Sequence, residues 1–107
     1  MTVSRGEIYY AGLPNHRKPA VILTANWLSR HSPDVMEVPV TSVERPPFPT
    51  RVELKPGEGA LKLRSWAKCD QVTTVPKALF SPRPIGRLGP ERIKQIEEAV
   101  RLALDFA

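Results

Sequence analysis

The chain has 107 residues, enough for one hydrophobic core but too few for two, so residues 1–107 read as a single domain. Hydrophobic residues at 41% and charged residues at 25% are ordinary for a folded domain, and no apolar run reaches the ~18 residues of a membrane span. No signal-peptide pattern opens the chain, so a cytoplasmic location is expected. The formal charge of +5 favours an anionic partner.

One cysteine, Cys69, excludes an internal disulfide, and two histidines beside it make a structural zinc site implausible; neither a metal nor another cofactor is expected. The charge is unevenly placed. From Arg87 onward, four basic residues (Arg87, Arg92, Lys94, Arg101) offset four acidic ones (Glu91, Glu97, Glu98, Asp105). Residues 1–86 therefore hold 16 − 4 = 12 basic and 11 − 4 = 7 acidic side chains, and with them the whole +5. A basic body with a neutral tail suits nucleic acid.

Residues 5–10 read as a first strand, rich in β-favouring aromatics and stopped by Gly12-Leu13-Pro14-Asn15. The short loop that follows carries His16, Arg17 and Lys18 in succession. Ala20-Val21-Ile22-Leu23 reads as a second strand with two cations at its mouth. Residues 24–31 suit a short helix capped by Thr24 or Asn26, with Trp27 as a lid over the core edge and His31 on the surface. Val35-Met36-Glu37-Val38-Pro39-Val40-Thr41-Ser42 reads as a third, mostly buried strand that delivers two hydroxyls to its rim.

Prolines at 46, 47 and 49 make residues 44–49 an extended loop. Residues 50–54 alternate as a fourth strand, residues 55–59 turn the chain, and residues 65–72 read as a fifth strand with Cys69 as packing. Residues 73–75 extend the sheet up to Pro76, and residues 85–88 suit an edge strand. Gly89-Pro90-Glu91 opens a final helix whose stripe is Ile93, Ile96, Val100, Ala103 and Leu104, with Leu102 off the stripe and available to a partner. Several short strands and one terminal helix, without a βαβ alternation, imply a mainly β fold of the small SH3-like barrel type.

Six segments in order resemble the MazF/PemK-type toxins of bacterial toxin–antitoxin systems: Arg5-Gly6-Glu7-Ile8, Lys18-Pro19, Val38-Pro39-Val40-Thr41-Ser42, Pro49-Thr50-Arg51-Val52, Cys69-Asp70-Gln71-Val72, and Ile85-Gly86-Arg87-Leu88 before the helix. The resemblance implies a homodimeric SH3-like barrel of the MazF/CcdB kind. It also implies metal-independent, sequence-specific cleavage of single-stranded RNA by attack of a 2′-hydroxyl on the neighbouring phosphate. Neutralisation would come from a MazE-like antitoxin whose disordered acidic tail covers the RNA groove.

By the same resemblance Lys18 and Thr41 stand at the family's central pair of positions. The family usually has arginine at the first of these, and its Gly-x-Glu-Gln loop piece is replaced here by Leu13-Pro14-Asn15-His16-Arg17. Val72-Thr73 stands where a branched residue and a basic one are common. Whether Lys18 or Arg17 is the catalytic cation therefore stays open.

Internal transesterification needs a proton acceptor, positive charge on the crowded phosphorane and a proton for the departing 5′-oxygen. Arg17 and Lys18 offer charge, Thr41 and Ser42 offer hydroxyl donors, and His16 is a candidate for proton transfer. For RNA grip the candidates are Arg51, Lys62, Arg64, Lys68 and Arg83, with Trp66 or Phe48 stacking a base; Ser65, Asp70 and Gln71 add polar contacts. Two other readings use the same barrel: a CcdB-like gyrase-binding toxin and a non-catalytic RNA-binding module.

Overall fold

A computed structural model describes residues 2–106. Its elements are β1 (Glu7–Ala11), β2 (Lys18–Ile22), α1 (Asn26–Ser29), β3 (Asp34–Thr41), β4 (Arg51–Leu54), β5 (Ser65–Lys68), β6 (Thr73–Pro76), β7 (Gly86–Arg87) and α2 (Pro90–Leu104). The seven strands form one antiparallel sheet in the order β4-β5-β3-β2-β1-β7, with β6 also on β3. This is the mainly β architecture with a C-terminal helix that the sequence implies.

β3 is the hub because its two halves serve different partners. Residues 34–37 pair with β6, whereas Val40 and Thr41 pair with Ala67 and Trp66 of β5. Changing partners along one strand bends the sheet and gives it two buried faces. The larger core joins Ile8, Val21, Val38, Val40, Val52, Leu54 and Ala67 to Ile96, Ala99 and Val100 of α2. A smaller one on the opposite face gathers Val3, Tyr9, Ala11, Ala20, Ile22, Val35 and Phe80. Each fully buried aliphatic side chain here is worth about 1.5–3 kcal/mol against its exposed state.

Several sequence expectations shift. Residues 5 and 6 form a turn, with Gly6 at φ 91°, and β1 starts only at Glu7. The helix after β2 shrinks to four residues with no side-chain cap. Thr24 instead accepts the Met36 N–H at 2.6 Å, and Asn26 accepts the Arg5 N–H at 2.9 Å. In so short a helix Ser29 takes the buried side, and Trp27 is 67% exposed, so it is no lid.

The expected fifth strand over residues 65–72 is two strands. β5 stops at Lys68, residues 69–70 turn, and β6 runs back along the other half of β3. Cys69 is fully buried as packing. The stripe of α2 is buried at Ile96 and Val100 but fails at Ala103 and Leu104, which are exposed together with Leu102. The helix packs over β4, which is four residues long, so its last turn outruns the sheet.

Candidate active site

β1 and β2 form a hairpin closed by the Ala11↔Lys18 pair. Its loop is fixed by a turn in which the His16 N–H donates to the Leu13 carbonyl at 2.8 Å. Gly12 sits at φ 118°, and a Cβ there would lie 3.0 Å from the His16 carbonyl oxygen, so glycine is what permits the tight return. His16, Arg17 and Lys18 are all exposed at this end.

Register decides which side chains meet them. β2 and β3 pair as Ile22↔Glu37, Val21↔Val38 and Ala20↔Pro39. The ladder then ends, since Pro19 has no N–H to give. Lys18 and Thr41 each lie two residues beyond the last pair and still inside their strands. Side chains alternate along a strand and directly paired residues share a face. Lys18 therefore lies on the face of Ala20, and Thr41 on that of Pro39, which is the same face.

The row continues. Thr41 pairs with Trp66, and Trp66 pairs with Glu53. Arg51 and Lys68 form the next pair on this face. Between β5 and β6, Gln71 closes the turn, its N–H donating to the Lys68 carbonyl at 3.0 Å. Lys18, Thr41, Arg51, Trp66 and Lys68 thus share one face, with exposed Asp70 and Gln71 in the adjoining turn.

Ser42, Lys62 and Ser65 do not join them. They line a depression of about 450 Å³ with Tyr10, Pro19 and Val40, on the face of the larger core. Ser65 is buried and donates its hydroxyl to the Leu63 carbonyl at 2.8 Å. Arg83 lies in the 81–84 loop, which is anchored to β1 near the opposite sheet edge.

Thr41 is half-buried, and its Oγ1 accepts the Val43 N–H at 3.1 Å. That bond uses a lone pair and leaves the hydroxyl proton to be donated outward. Beside it, Arg64 lies over the Trp66 ring at 4.9 Å and donates to both carboxylate oxygens of Glu53, at 2.8 and 3.0 Å, and to Glu44 at 3.3 Å. Hydrogen bonding from Arg64 holds the Glu53 carboxyl below the usual range, and the same bond raises the guanidinium. Arg64 is therefore engaged within the protein, and its ring contact leaves Trp66, 7% exposed, with little surface for a base.

Arg51 braces the proline-rich loop by donating to the Pro46 carbonyl at 2.9 Å and lying 5.3 Å over the Phe48 ring. Phe48 remains 55% exposed. Loop and strands enclose a cleft of about 530 Å³ walled by residues 44–48, Arg51, Glu53, Arg64 and Trp66. The contribution of Glu44 and Arg45 was missed from sequence; a carboxylate and a guanidinium set before consecutive prolines were the available signal. Burial pushes the Cys69 thiol up to about 12 and the Glu37 carboxyl up to about 7. Among the described residues no three His, Cys, Asp or Glu side chains converge as a metal site, and no helix is long and apolar enough to cross a membrane.

Residues 4–104 match a family profile described as the PemK-like, MazF-like toxin of type II toxin–antitoxin systems. The endoribonuclease MazF9 of Mycobacterium tuberculosis is 31% identical over 116 residues, covering 95% of this chain and 96% of that protein. A solved endoribonuclease in complex with its cognate antitoxin, from a mycobacterial species, superposes with a TM-score of 0.86 at 27% identity over 99% of this chain and 98% of that one. The Mycobacterium tuberculosis toxin MazF-mt6 gives 0.83 at 28% identity over 94% and 98%. The chain belongs to the PemK-like, MazF-like toxin family of type II toxin–antitoxin systems.

Proposed function

We propose that this endoribonuclease cuts single-stranded RNA at short sequence motifs by internal transesterification on the face that holds Lys18 and Thr41. The observation that supports the reading is the β2–β3 register, by whose alternation the exposed Lys18 and the half-buried Thr41 share a face of the sheet. The ribose 2′-oxygen forms a bond to the adjacent phosphorus and gives up its proton, and the bond from phosphorus to the 5′-oxygen breaks. The departing oxygen takes a proton, leaving 2′,3′-cyclic phosphate and 5′-hydroxyl ends. Lys18 and Arg17 meet the negative charge of the phosphorane, which lets the step proceed without a metal, and Thr41 donates to a non-bridging oxygen. His16, in the hairpin loop beside them, is the group assigned to proton transfer.

The basic body, with Arg51 and Lys68 on the same face, supports binding of the RNA backbone there, and Asp70 and Gln71, exposed in the adjoining turn, are the groups assigned to base edges. The same charge suits a MazE-like antitoxin with an acidic disordered tail, and the similar endoribonuclease was solved with its cognate antitoxin. The active unit is assigned as a homodimer, supported by Leu102, Leu104 and Phe106 left open at the end of α2. Incubation of the chain with a long single-stranded RNA in chelator tests the reaction. Discrete fragments with cyclic phosphate ends are expected. Retention without cutting would replace the proposal with a binding module, and absence of both would favour a toxin that acts on a protein such as gyrase.

A further inference from the structure

The cleft under the proline-rich loop adjoins the reaction centre, because its inner wall, Trp66, is the cross-strand partner of Thr41. Its floor is therefore one to two strand spacings, about 5–10 Å, from the Thr41 backbone. At about 530 Å³ it falls within the range of small-ligand sites, roughly 300–1,000 Å³, and has room for one purine.

Its chemistry is one-sided on each wall. Pro46 and Pro47 contribute carbonyl oxygens but no N–H groups, so the loop backbone there accepts hydrogen bonds and offers none. Glu44 adds a carboxylate whose only protein bond among the described residues is the 3.3 Å contact of Oε1 with Arg64. Arg45, next in the chain and also on the cleft wall, makes no ion pair among the described residues. Phe48 shows an exposed ring that Arg51 backs through a cation–π contact.

We propose that this cleft is a guanine-selective subsite for a nucleotide flanking the scissile phosphate, with Glu44 reading the base edge, Arg45 its N7 and O6, and Phe48 its ring face. The inference rests on the nuclease reading above and gives it a base preference. A carboxylate needs two adjacent donors, and guanine alone presents them, as N1–H beside the exocyclic amine. Cytosine and adenine each set a ring-nitrogen acceptor beside their amine, and uracil sets carbonyls on both sides of its single N–H, so each would bring an acceptor against the carboxylate. Guanine also carries the acceptor pair that a guanidinium grips in bidentate fashion.

Mapping fragment ends from a mixed-sequence RNA, followed by matched oligonucleotides with guanosine or inosine at the mapped position, tests this. Inosine lacks only the exocyclic amine. The wild-type chain should enrich guanosine beside the cut and lose about tenfold in kcat/KM with inosine. In Glu44→Gln the two oligonucleotides should be cut alike, a coupling that loss of fold or of backbone binding would not produce. Cutting without a guanosine preference, equal wild-type rates on the two oligonucleotides, or an inosine penalty that survives Glu44→Gln would each overturn the subsite while leaving the nuclease reading in place. Failure to cut any RNA would remove both.

Discussion

Replacing Glu37 with glutamine should abolish a pH dependence that this one carboxyl builds into the fold. Glu37 lies on β3 between Ile22 of β2 and Thr73 of β6, is only 6% exposed, and has no side-chain hydrogen bond among the described residues. Desolvation raises its pKa from 4.5 to about 7. The folded state therefore holds a proton that the unfolded chain releases at lower pH. Stability from this group is fully present below pH 4.5 and is lost as pH rises through about 7. At ~1.4 kcal/mol per pH unit the full span is about 3.4 kcal/mol, and residual solvent contact of the carboxyl reduces it to about 2.

For a chain of this length about 2 kcal/mol corresponds to about 8 °C in Tm. Thermal and urea unfolding at intervals from pH 4 to 8.5 should show the wild type weakening by that amount relative to Glu37→Gln, with the difference developing between pH 4.5 and 7. Parallel profiles across the range would refute the assignment of a buried, protonated carboxyl.

Thr50 holds a buried hydroxyl with no partner among the described residues, so Thr50→Val should be neutral or stabilise by about 1 kcal/mol in urea unfolding; a loss above 1 kcal/mol would mean that the hydroxyl is satisfied. Cys69, buried with its thiol pushed up to about 12, should resist alkylation at pH 8 in the native state and react once denatured, and rapid native labelling would contradict that burial. Arg92 donates to both carboxylate oxygens of Glu58, each at 2.9 Å, and ties α2 to the 3-10 turn before β5. Arg92→Ala should lower stability by about 1–2 kcal/mol, read as a shifted urea midpoint, with no shift contradicting the tie.

Local signals made α2 and the hydroxyl end of β3 legible, because a proline-led helix start and a run of branched residues act within a few positions. The boundary between β5 and β6 was hidden. No glycine or proline marks the turn between Lys68 and Thr73, and only the pairing of residues 73–76 with β3, a contact over more than thirty residues, folds the chain back. Grouping Ser42 and Ser65 with Thr41 and Trp66 failed for a related reason: neighbouring strand residues point to opposite faces, so adjacency in sequence separated them in space. Arg64 looked available until the fold set Glu53 and Glu44 beside it, 11 and 20 residues away.

The most direct measurement is single-turnover cleavage of one RNA by wild type, Thr41→Val, Lys18→Ala and Arg17→Ala, with Tm recorded for each. Thr41→Val keeps the shape and removes the donor; it and at least one of the two cation variants should slow cleavage by about 10²–10³ with RNA binding retained. Wild-type rates for Thr41→Val, or for both Lys18→Ala and Arg17→Ala, would show that the reacting phosphate is held elsewhere.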